Sequence, residues 1–216
     1  KKELNGRVPL IGFAGAPWTL LCYMVQGKGS KTFDEAKSFC YTQPEVAHHL
    51  LQMITDTTIA YLKGQIEAGA DVVQIFDSWG GLWSPVDFEE FSLQYIRQIV
   101  HAVKDLAPTI VFAKGAWASI GAMADTGAAG LGIDWCIPPK TAREFAGNNI
   151  TLQGNFDPAK LYAPVDVIRR EVKKMITDFG PGRYIANLGH GILPTVPVDS
   201  ARAFVDTVKG FDYSTL

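Results

Sequence analysis

The sequence predicts an α/β fold and, within that class, favours a (β/α)8 TIM barrel with only six of the eight βα units present. With six units, either the chain lacks two units of the barrel or the fold is a different one. Three observations lead to this prediction. Six short apolar segments recur along the 216 residues, a helical pattern follows each of them, and no nucleotide-binding glycine motif follows the first. Most of these segments are almost continuously apolar, which is typical of parallel strands that are buried on both faces.

The predicted strands are apolar segments bounded by glycine, proline or polar turns. They are Val8–Ala14, Ala70–Asp77, Thr109–Lys114, Ala129–Trp135, Ile150–Asn155 and Arg183–Leu188. The segment Gly12–Trp18, at the end of the first strand, fits neither G-x-G-x-x-G nor a P-loop, which favours a barrel over a doubly wound nucleotide-binding sheet. No linker or change of composition divides the units, so residues 1–216 are predicted to form a single domain.

Most of the predicted helices begin with proline in the first turn, where its missing N–H costs little. Pro44 starts a long helix, and Ser84-Pro85-Val86-Asp87 combines a hydroxyl cap with an early proline and an acid. Thr32 and Glu35 have the spacing of a capping box ahead of a shorter helix. Later starts predict helices over Pro139–Ala146, Pro164–Phe179 and Pro197–Lys209. The apolar side of the long helix is assigned to Val46, Leu50, Ile54, Leu62 and Ile66.

The composition excludes several classes of protein. Apolar residues make up 47% of the chain, charged residues 19%, and the net charge is −2, which is typical of a globular protein without a basic nucleic-acid footprint. No apolar run approaches the roughly 18 residues of a membrane span. Cys22, Cys40 and Cys136 form no C-x-x-C pair, which favours reduced thiols in the cytoplasm and predicts no metal site.

In a (β/α)8 barrel the active site lies at the carboxyl ends of the strands, where polar, aromatic and glycine residues concentrate in this sequence. Ser78 directly follows the second strand, and His190 lies between two glycines after the sixth. Tyr23 can belong either to the site or to the core. Lys114 ends the third strand, where a salt bridge to Asp77 or Asp134 is favoured over a Schiff base. His48 and His49 are adjacent on a predicted helix and point in different directions, which favours solvent or helix-edge positions over a joint metal site. A structural position is favoured for His101 in the middle of a predicted helix.

Several of these segments resemble the uroporphyrinogen decarboxylase family. They follow the family's order over nearly the whole chain, and together they are very specific. The segments are Gly12–Leu20 with Tyr23-Met24-Val25, Gln74–Ser78, Phe112–Lys114, Gly132–Trp135, Leu152–Pro158 and Arg183–Gly191.

The resemblance implies an enzyme built on a (β/α)8 barrel, with this chain covering the third to eighth units, that works as a homodimer without metal or cofactor. Members of the family remove the carboxyl groups of the four acetate side chains of uroporphyrinogen III, which gives coproporphyrinogen III on the route to haem and chlorophyll. A pyrrole protonated at a ring carbon accepts the electron pair that carbon dioxide leaves behind, so no bound cofactor is needed as electron sink. The implied location is the cytoplasm, or the chloroplast stroma in a plant or alga.

The resemblance also implies roles for individual residues. Tyr23 and Ser78 match positions that donate hydrogen bonds to substrate carboxylates, and Tyr23 is expected to assist proton transfer. His190 is implied as a carboxylate partner and proton donor, since an unperturbed histidine has a pKa of about 6.5. The residues implied to line the substrate pocket are Phe13, Gly15 and Phe76.

The family also carries an R-Q-A-G-R segment that meets the substrate carboxylates and an F-S-D-I segment whose Asp is the key catalytic carboxylate. Neither occurs in these 216 residues, and Phe76-Asp77-Ser78 belongs to a different strand. The chain by itself is therefore expected to lack decarboxylase activity. Two alternatives remain open: a related zinc- or corrinoid-dependent methyltransferase on the same barrel, and a barrel that binds a tetrapyrrole without catalysis.

Overall fold

Six β-strands form one sheet in the computed structural model, which describes residues 1–216. The strands are β1 (Ile11–Gly15), β2 (Val72–Asp77), β3 (Thr109–Ala113), β4 (Gly130–Ile133), β5 (Thr151–Phe156) and β6 (Tyr184–Leu188). They follow one another in the sheet in chain order, and β1 does not pair with β6, so the sheet is open. All six predicted strands are confirmed, and with them the α/β class and the partial TIM-barrel fold.

The strand pairs β1–β2, β2–β3 and β5–β6 are parallel. In the first two pairs Gly15 is in register with Phe76, and Phe76 with Phe112. The carboxyl ends of β1, β2 and β3 therefore lie along the same edge of the sheet. In the third pair Asn155 is in register with Asn187, which aligns the ends of β5 and β6 in the same way.

Helices follow the strands as predicted. They are α1 (Pro17–Gln26), α2 (Asp34–Thr42), α3 (Pro44–Glu67), α4 (Pro85–Phe88), a π-helix (Glu89–Leu93), α5 (Gln94–Val103), α6 (Ile120–Ala124), α7 (Pro139–Ala146), α8 (Val165–Phe179) and α9 (Val198–Lys209), and 3₁₀ turns cover Lys2–Leu4, Gly80–Leu82, Trp117–Ser119, Pro158–Tyr162 and Tyr213–Thr215. The hydroxyl cap at Ser84 is confirmed, because its Oγ accepts a hydrogen bond from the Asp87 amide at 3.2 Å. No helix has both the length and the apolar character needed to cross a membrane.

Two local predictions are wrong. Thr32 does not cap α2: the residue before the helix is Phe33, which has a φ of 46° and a fully buried ring. Burying this ring takes priority over the capping box, and Ser30 Oγ instead accepts hydrogen bonds from the amides of Thr32 and Phe33. Val46 is 52% exposed rather than part of the apolar side of α3. The residues that α3 buries are Ala47, Leu51, Ile54, Thr55, Thr58 and Leu62.

The chain forms two compact units, Lys1–Leu131 and Gly132–Leu216, and the prediction of a single domain stays a prediction. Fully buried side chains of the first unit include Trp18, Phe33, Leu51, Ile75 and Ile96. The second unit has a core of Phe156, Leu161, Ile168, Val172, Met175, Ile176, Ala203 and Phe204. Each fully buried large apolar side chain contributes about 1.5–3 kcal/mol, so these clusters stabilise the strands whose ends carry the candidate site.

Candidate functional site at the strand ends

A buried carboxylate organises the carboxyl end of β2. Asp77 is fully buried, and its carboxylate accepts hydrogen bonds from Thr19 Oγ1 at 2.6 Å, from Ser92 Oγ at 2.6 Å and from the Trp79 amide. Burial raises the pKa of Asp77 to about 6, against the opposing effect of these three donors. Ser92 lies in the π-helix, so one of the hydroxyl groups that bind Asp77 comes from this locally widened turn.

Three aromatic side chains, those of Trp79, Tyr23 and Phe33, pack together next to this carboxylate, which accepts a hydrogen bond from the Trp79 amide. The Trp79 indole N–H donates a hydrogen bond to Tyr23 Oη at 3.1 Å, and the Trp79 ring packs against Phe33 with 4.7 Å between centroids. Tyr23 also meets Phe33 edge-on at 5.7 Å. Tyr23 is 44% exposed, although its ring packs edge-on against both Phe33 and Trp79.

A second aromatic row lies on the face of the sheet that points away from α3. A Cβ on Gly12 would sit 2.3 Å from Gln65 Oε1 of α3, so the alternate residues of β1, including Phe13, face the other way. Phe13 is 61% exposed and meets Phe76 edge-on at 5.8 Å, and Phe76 meets the buried Phe112 at the same distance. In a barrel this face is the interior, where a flat ligand can pack against exposed rings.

Gly15 lies at the end of β1 on the same face as Phe13. A Cβ at this position would come within 2.8 Å of Leu20 Cδ2 in α1. The glycine therefore leaves room for the first turn of α1, whose residue Thr19 reaches Asp77. Ser78 directly follows β2 and is half-buried.

The end of β6 belongs to the second unit and is held by its backbone. The Gly189 amide donates a hydrogen bond to Phe156 O at 2.7 Å. A Cβ on Gly189 would lie 2.9 Å from Trp135 N and 3.1 Å from Asp134 Cα, so two backbone segments pass each other here. His190 follows this contact and is exposed.

A similar close approach occurs beside it in β5. A Cβ on Gly154 would lie 2.3 Å from Ile133 O. The buried Asn155 side chain then donates hydrogen bonds to Asp134 O at 3.0 Å and Ile137 O at 2.9 Å. Close backbone contacts and the side-chain amide of Asn155 therefore hold the ends of β4, β5 and β6 together.

The first unit brings Tyr23, Ser78, Phe13, Gly15 and Phe76 to the ends or one face of β1 and β2, whereas His190 follows β6 in the second unit. Their roles toward a substrate stay predictions. The sequence predictions gave no individual role to Trp79, Phe33 or Phe112, which the structure places in contact with candidate site residues. The sequence signal for Trp79 is its position one residue after Ser78, whereas nothing local indicates the contact of Phe33 with residues 23 and 79.

The cysteines and His48 are further side chains that could act as nucleophiles, bases or metal ligands. Cys22, Cys40 and Cys136 form no disulfide. Burial raises the pKa of Cys22 and brings that of Cys40 to about 12, so neither buried thiol is poised as a nucleophile. The His48 ring stacks on Phe91 at 5.2 Å and its Nδ1 lies 2.7 Å from Tyr95 Oη. No group of three or more His, Cys, Asp or Glu side chains is arranged to hold a metal ion.

The comparison with solved structures agrees with the partial barrel. A methyltransferase from Methanosarcina mazei matches 96% of this chain and 60% of its own chain, with a TM-score of 0.84 and 25% sequence identity.

The family model for uroporphyrinogen decarboxylase (URO-D) matches residues 1–211. Proteins named uroporphyrinogen decarboxylase are 58% identical in Flavobacterium johnsoniae and 60% identical in Christiangramia forsetii, each over 98% of this chain and 62% of the relative. The human protein of the same name is 48% identical over 96% of this chain and 59% of its own length. The chain thus spans about 60% of the length of these curated relatives, and it belongs to the uroporphyrinogen decarboxylase family.

Proposed function

We propose that the protein removes the carboxyl groups of the four acetate side chains of uroporphyrinogen III and forms coproporphyrinogen III. The observation that carries the proposal is the identity of up to 60%, over 98% of this chain, with relatives named for this activity. The site described above supports it, because the hydroxyl groups of Tyr23 and Ser78 lie near the end of β2 and the rings of Phe13 and Phe76 lie on one face of β1 and β2. A substrate with carboxylates around a tetrapyrrole needs both kinds of contact.

Each site residue has a proposed part in the reaction. Tyr23 and Ser78 donate hydrogen bonds to substrate carboxylates, and the exposed ring of Phe13 and the half-buried ring of Phe76 pack against the macrocycle. His190 binds a further carboxylate and donates a proton, and Tyr23 assists proton transfer. Protonation of a pyrrole carbon creates the electron sink, and carbon dioxide leaves to give an exocyclic methylene group. A second proton converts this group to the methyl group, and the ring carbon releases its first proton to restore the pyrrole, so one proton is consumed per carboxyl group and no cofactor is needed.

Activity of the full-length protein tests this proposal. Wild-type protein should convert uroporphyrinogen III to coproporphyrinogen III, measured by chromatography of the oxidised porphyrins. His190→Ala should lower kcat/KM by about 10²-fold or more, in the range of a lost proton-transfer group. His49→Ala is the control, because His49 lies on α3 and has no proposed contact with substrate. Absence of turnover by the wild type would contradict the proposed activity, and unchanged turnover by His190→Ala would remove His190 from the mechanism.

Residues 1–216 alone are proposed to be inactive, because the R-Q-A-G-R and F-S-D-I segments of the family do not occur among them. Turnover by this isolated chain would refute that statement. We also propose that the full-length protein is a homodimer, which sedimentation of the purified protein would test. We further propose a cytoplasmic location, or the chloroplast stroma in a plant or alga, which fits three cysteines that form no disulfide.

A second candidate function is that of a zinc- or corrinoid-dependent methyltransferase, which the likeness to the Methanosarcina mazei structure favours. The arrangement of ligand side chains opposes it, because no three His, Cys, Asp or Glu side chains of this chain are grouped for a metal ion. Stoichiometric zinc in the purified full-length protein would revive this candidate. Binding of uroporphyrin without any turnover would instead favour a non-catalytic tetrapyrrole-binding barrel.

A further inference from the structure

Trp79 has no assigned role, although it is the side chain that contacts the Tyr23 hydroxyl. Its indole nitrogen lies 3.1 Å from Tyr23 Oη. An indole N–H can only donate a hydrogen bond, so the phenol oxygen must be the acceptor in this contact. The hydroxyl hydrogen of Tyr23 is consequently directed away from Trp79.

The indole is held in this orientation from several sides. The Trp79 amide donates to the buried carboxylate of Asp77, and the Trp79 carbonyl accepts hydrogen bonds from Trp18 Nε1 at 3.1 Å and from the Leu82 amide at 3.1 Å. The ring packs against Phe33 at 4.7 Å between centroids. A side chain fixed at both backbone polar groups and along its ring can determine the geometry of the group that it contacts.

The contact has a consequence for the chemistry of Tyr23. The hydroxyl hydrogen of a phenol prefers the plane of the ring, where it has two orientations. Because the oxygen accepts the Trp79 N–H, the orientation in which the hydroxyl hydrogen would meet this N–H is disfavoured. Accepting a hydrogen bond also polarises the O–H group and strengthens its own donation. Tyr23 is thereby prepared as a donor before a substrate arrives.

We infer that Trp79 is a positioning residue that fixes the Tyr23 hydroxyl as a hydrogen-bond donor toward an anionic group of the substrate. The inference rests on the proposed function, which assigns Tyr23 to a substrate carboxylate. Trp79 itself touches no substrate atom in this scheme. Its effect on the reaction therefore depends on the Tyr23 hydroxyl and should disappear in a variant that lacks this hydroxyl.

The hydrogen bond can be tested without activity. The indole ¹H–¹⁵N resonance of Trp79 in the full-length protein is identified by its loss in Trp79→Phe, and it should shift in Tyr23→Phe. The indole of Trp83 is the internal reference, because its buried Nε1 has no hydrogen-bond partner. A Trp79 resonance that stays in place in Tyr23→Phe would overturn the inference. If Trp79→Phe does not fold, the resonance is identified instead by nuclear Overhauser contacts of the indole with the ring of Phe33.

Steady-state kinetics test the role. Trp79→Phe should lower kcat/KM for uroporphyrinogen III by about three- to ten-fold, the range of one lost hydrogen bond. The loss should appear in the same parameter, kcat or KM, as that of Tyr23→Phe. In the Tyr23→Phe background, Trp79→Phe should cause no further loss. The matched control is Trp83→Phe, which removes an indole N–H without a partner and should leave kcat/KM within two-fold of wild type (about 0.4 kcal/mol).

The outcomes separate the inference from the proposed function. If Trp79→Phe lowers kcat/KM by the same factor in wild type and in Tyr23→Phe, the inference is overturned, while the decarboxylase proposal stays intact. Wild-type kcat/KM in Tyr23→Phe would remove Tyr23 from the proposed mechanism, and the role of Trp79 with it. A wild-type protein that does not turn over uroporphyrinogen III would contradict both.

Discussion

The ends of β2 and β6 both carry residues proposed to contact substrate, yet different kinds of contact hold them in place. At the end of β2 a side chain makes the key contacts. The buried Asp77 carboxylate accepts hydrogen bonds from Thr19 in α1, from Ser92 in the π-helix and from the Trp79 amide just after the strand. The end of β6 is built on backbone fit, with Gly189 bonded to Phe156 O and packed against residues 134 and 135. The first end should therefore be sensitive to loss of the hydrogen-bond acceptor, and the second to added volume.

The largest expected effect comes from removing the carboxylate at the end of β2. Asp77→Ala leaves the hydroxyls of Thr19 and Ser92 and the Trp79 amide without their acceptor, in a fully buried place. We expect the free energy of unfolding to fall by about 3 kcal/mol, measured by denaturant titration.

Asp77→Asn is the matched control for this change. It keeps one oxygen acceptor and the side-chain volume, while it removes the buried charge. Its free energy of unfolding at pH 7 should stay within about 1 kcal/mol of wild type. Equal losses for Ala and Asn would mean that charge, rather than satisfaction of the donors, holds this end of the sheet.

Added volume at the end of β6 is expected to have the next largest effect. Gly189→Ala puts a Cβ 2.9 Å from Trp135 N and 3.1 Å from Asp134 Cα, and backbone atoms cannot give way as a flexible side chain can. The free energy of unfolding should fall by about 2 kcal/mol, which thermal unfolding would detect. Gly191→Ala serves as control because no atom lies within 4 Å of its Cβ position, and it should change stability by less than about 0.5 kcal/mol. Similar melting temperatures for the two variants would refute the backbone-fit interpretation.

The smallest effect is a pH dependence that only the end of β2 should produce. Burial raises the pKa of Asp77 from 3.8 to about 6, so between these values the folded protein binds more protons at this group than the unfolded chain does. The contribution of Asp77 to stability therefore increases as the pH falls through about 6 and is complete below about 4. Between pH 7 and pH 5 the gain should be about 1 kcal/mol.

The comparison of wild type with Asp77→Asn isolates this contribution, since the amide does not titrate. The difference in free energy of unfolding between the two proteins should change by about 1 kcal/mol from pH 5 to pH 7. A constant difference across this range would show that the Asp77 carboxyl has an ordinary pKa, and the account of its burial would then be wrong.

Much of the fold could be predicted because its causes are local. All six strands are confirmed, since an almost continuous apolar run such as Val72–Asp77 has few alternatives to a buried parallel strand. Prolines at positions 44, 85 and 139 mark helix starts because their fixed φ suits the first turn. The strand ends that carry Ser78 and His190 could be located by the same argument. The resemblance to the decarboxylase family, and with it the candidate site residues, also came from local motifs.

Other features depend on contacts between distant residues, which only the tertiary structure decides. The capping box at Thr32 fails because Phe33 is buried against Tyr23 and Trp79, and this burial places the start of α2 at Asp34. The helix after Ser84 reads as one α-helix in sequence, whereas the structure contains a π-helical turn from which Ser92 reaches Asp77. The Trp79–Tyr23 hydrogen bond joins residues 56 positions apart. Periodicity and capping rules describe neighbours along the chain, so the network that orders the end of β2 becomes visible only when α1, β2 and the π-helix are packed together.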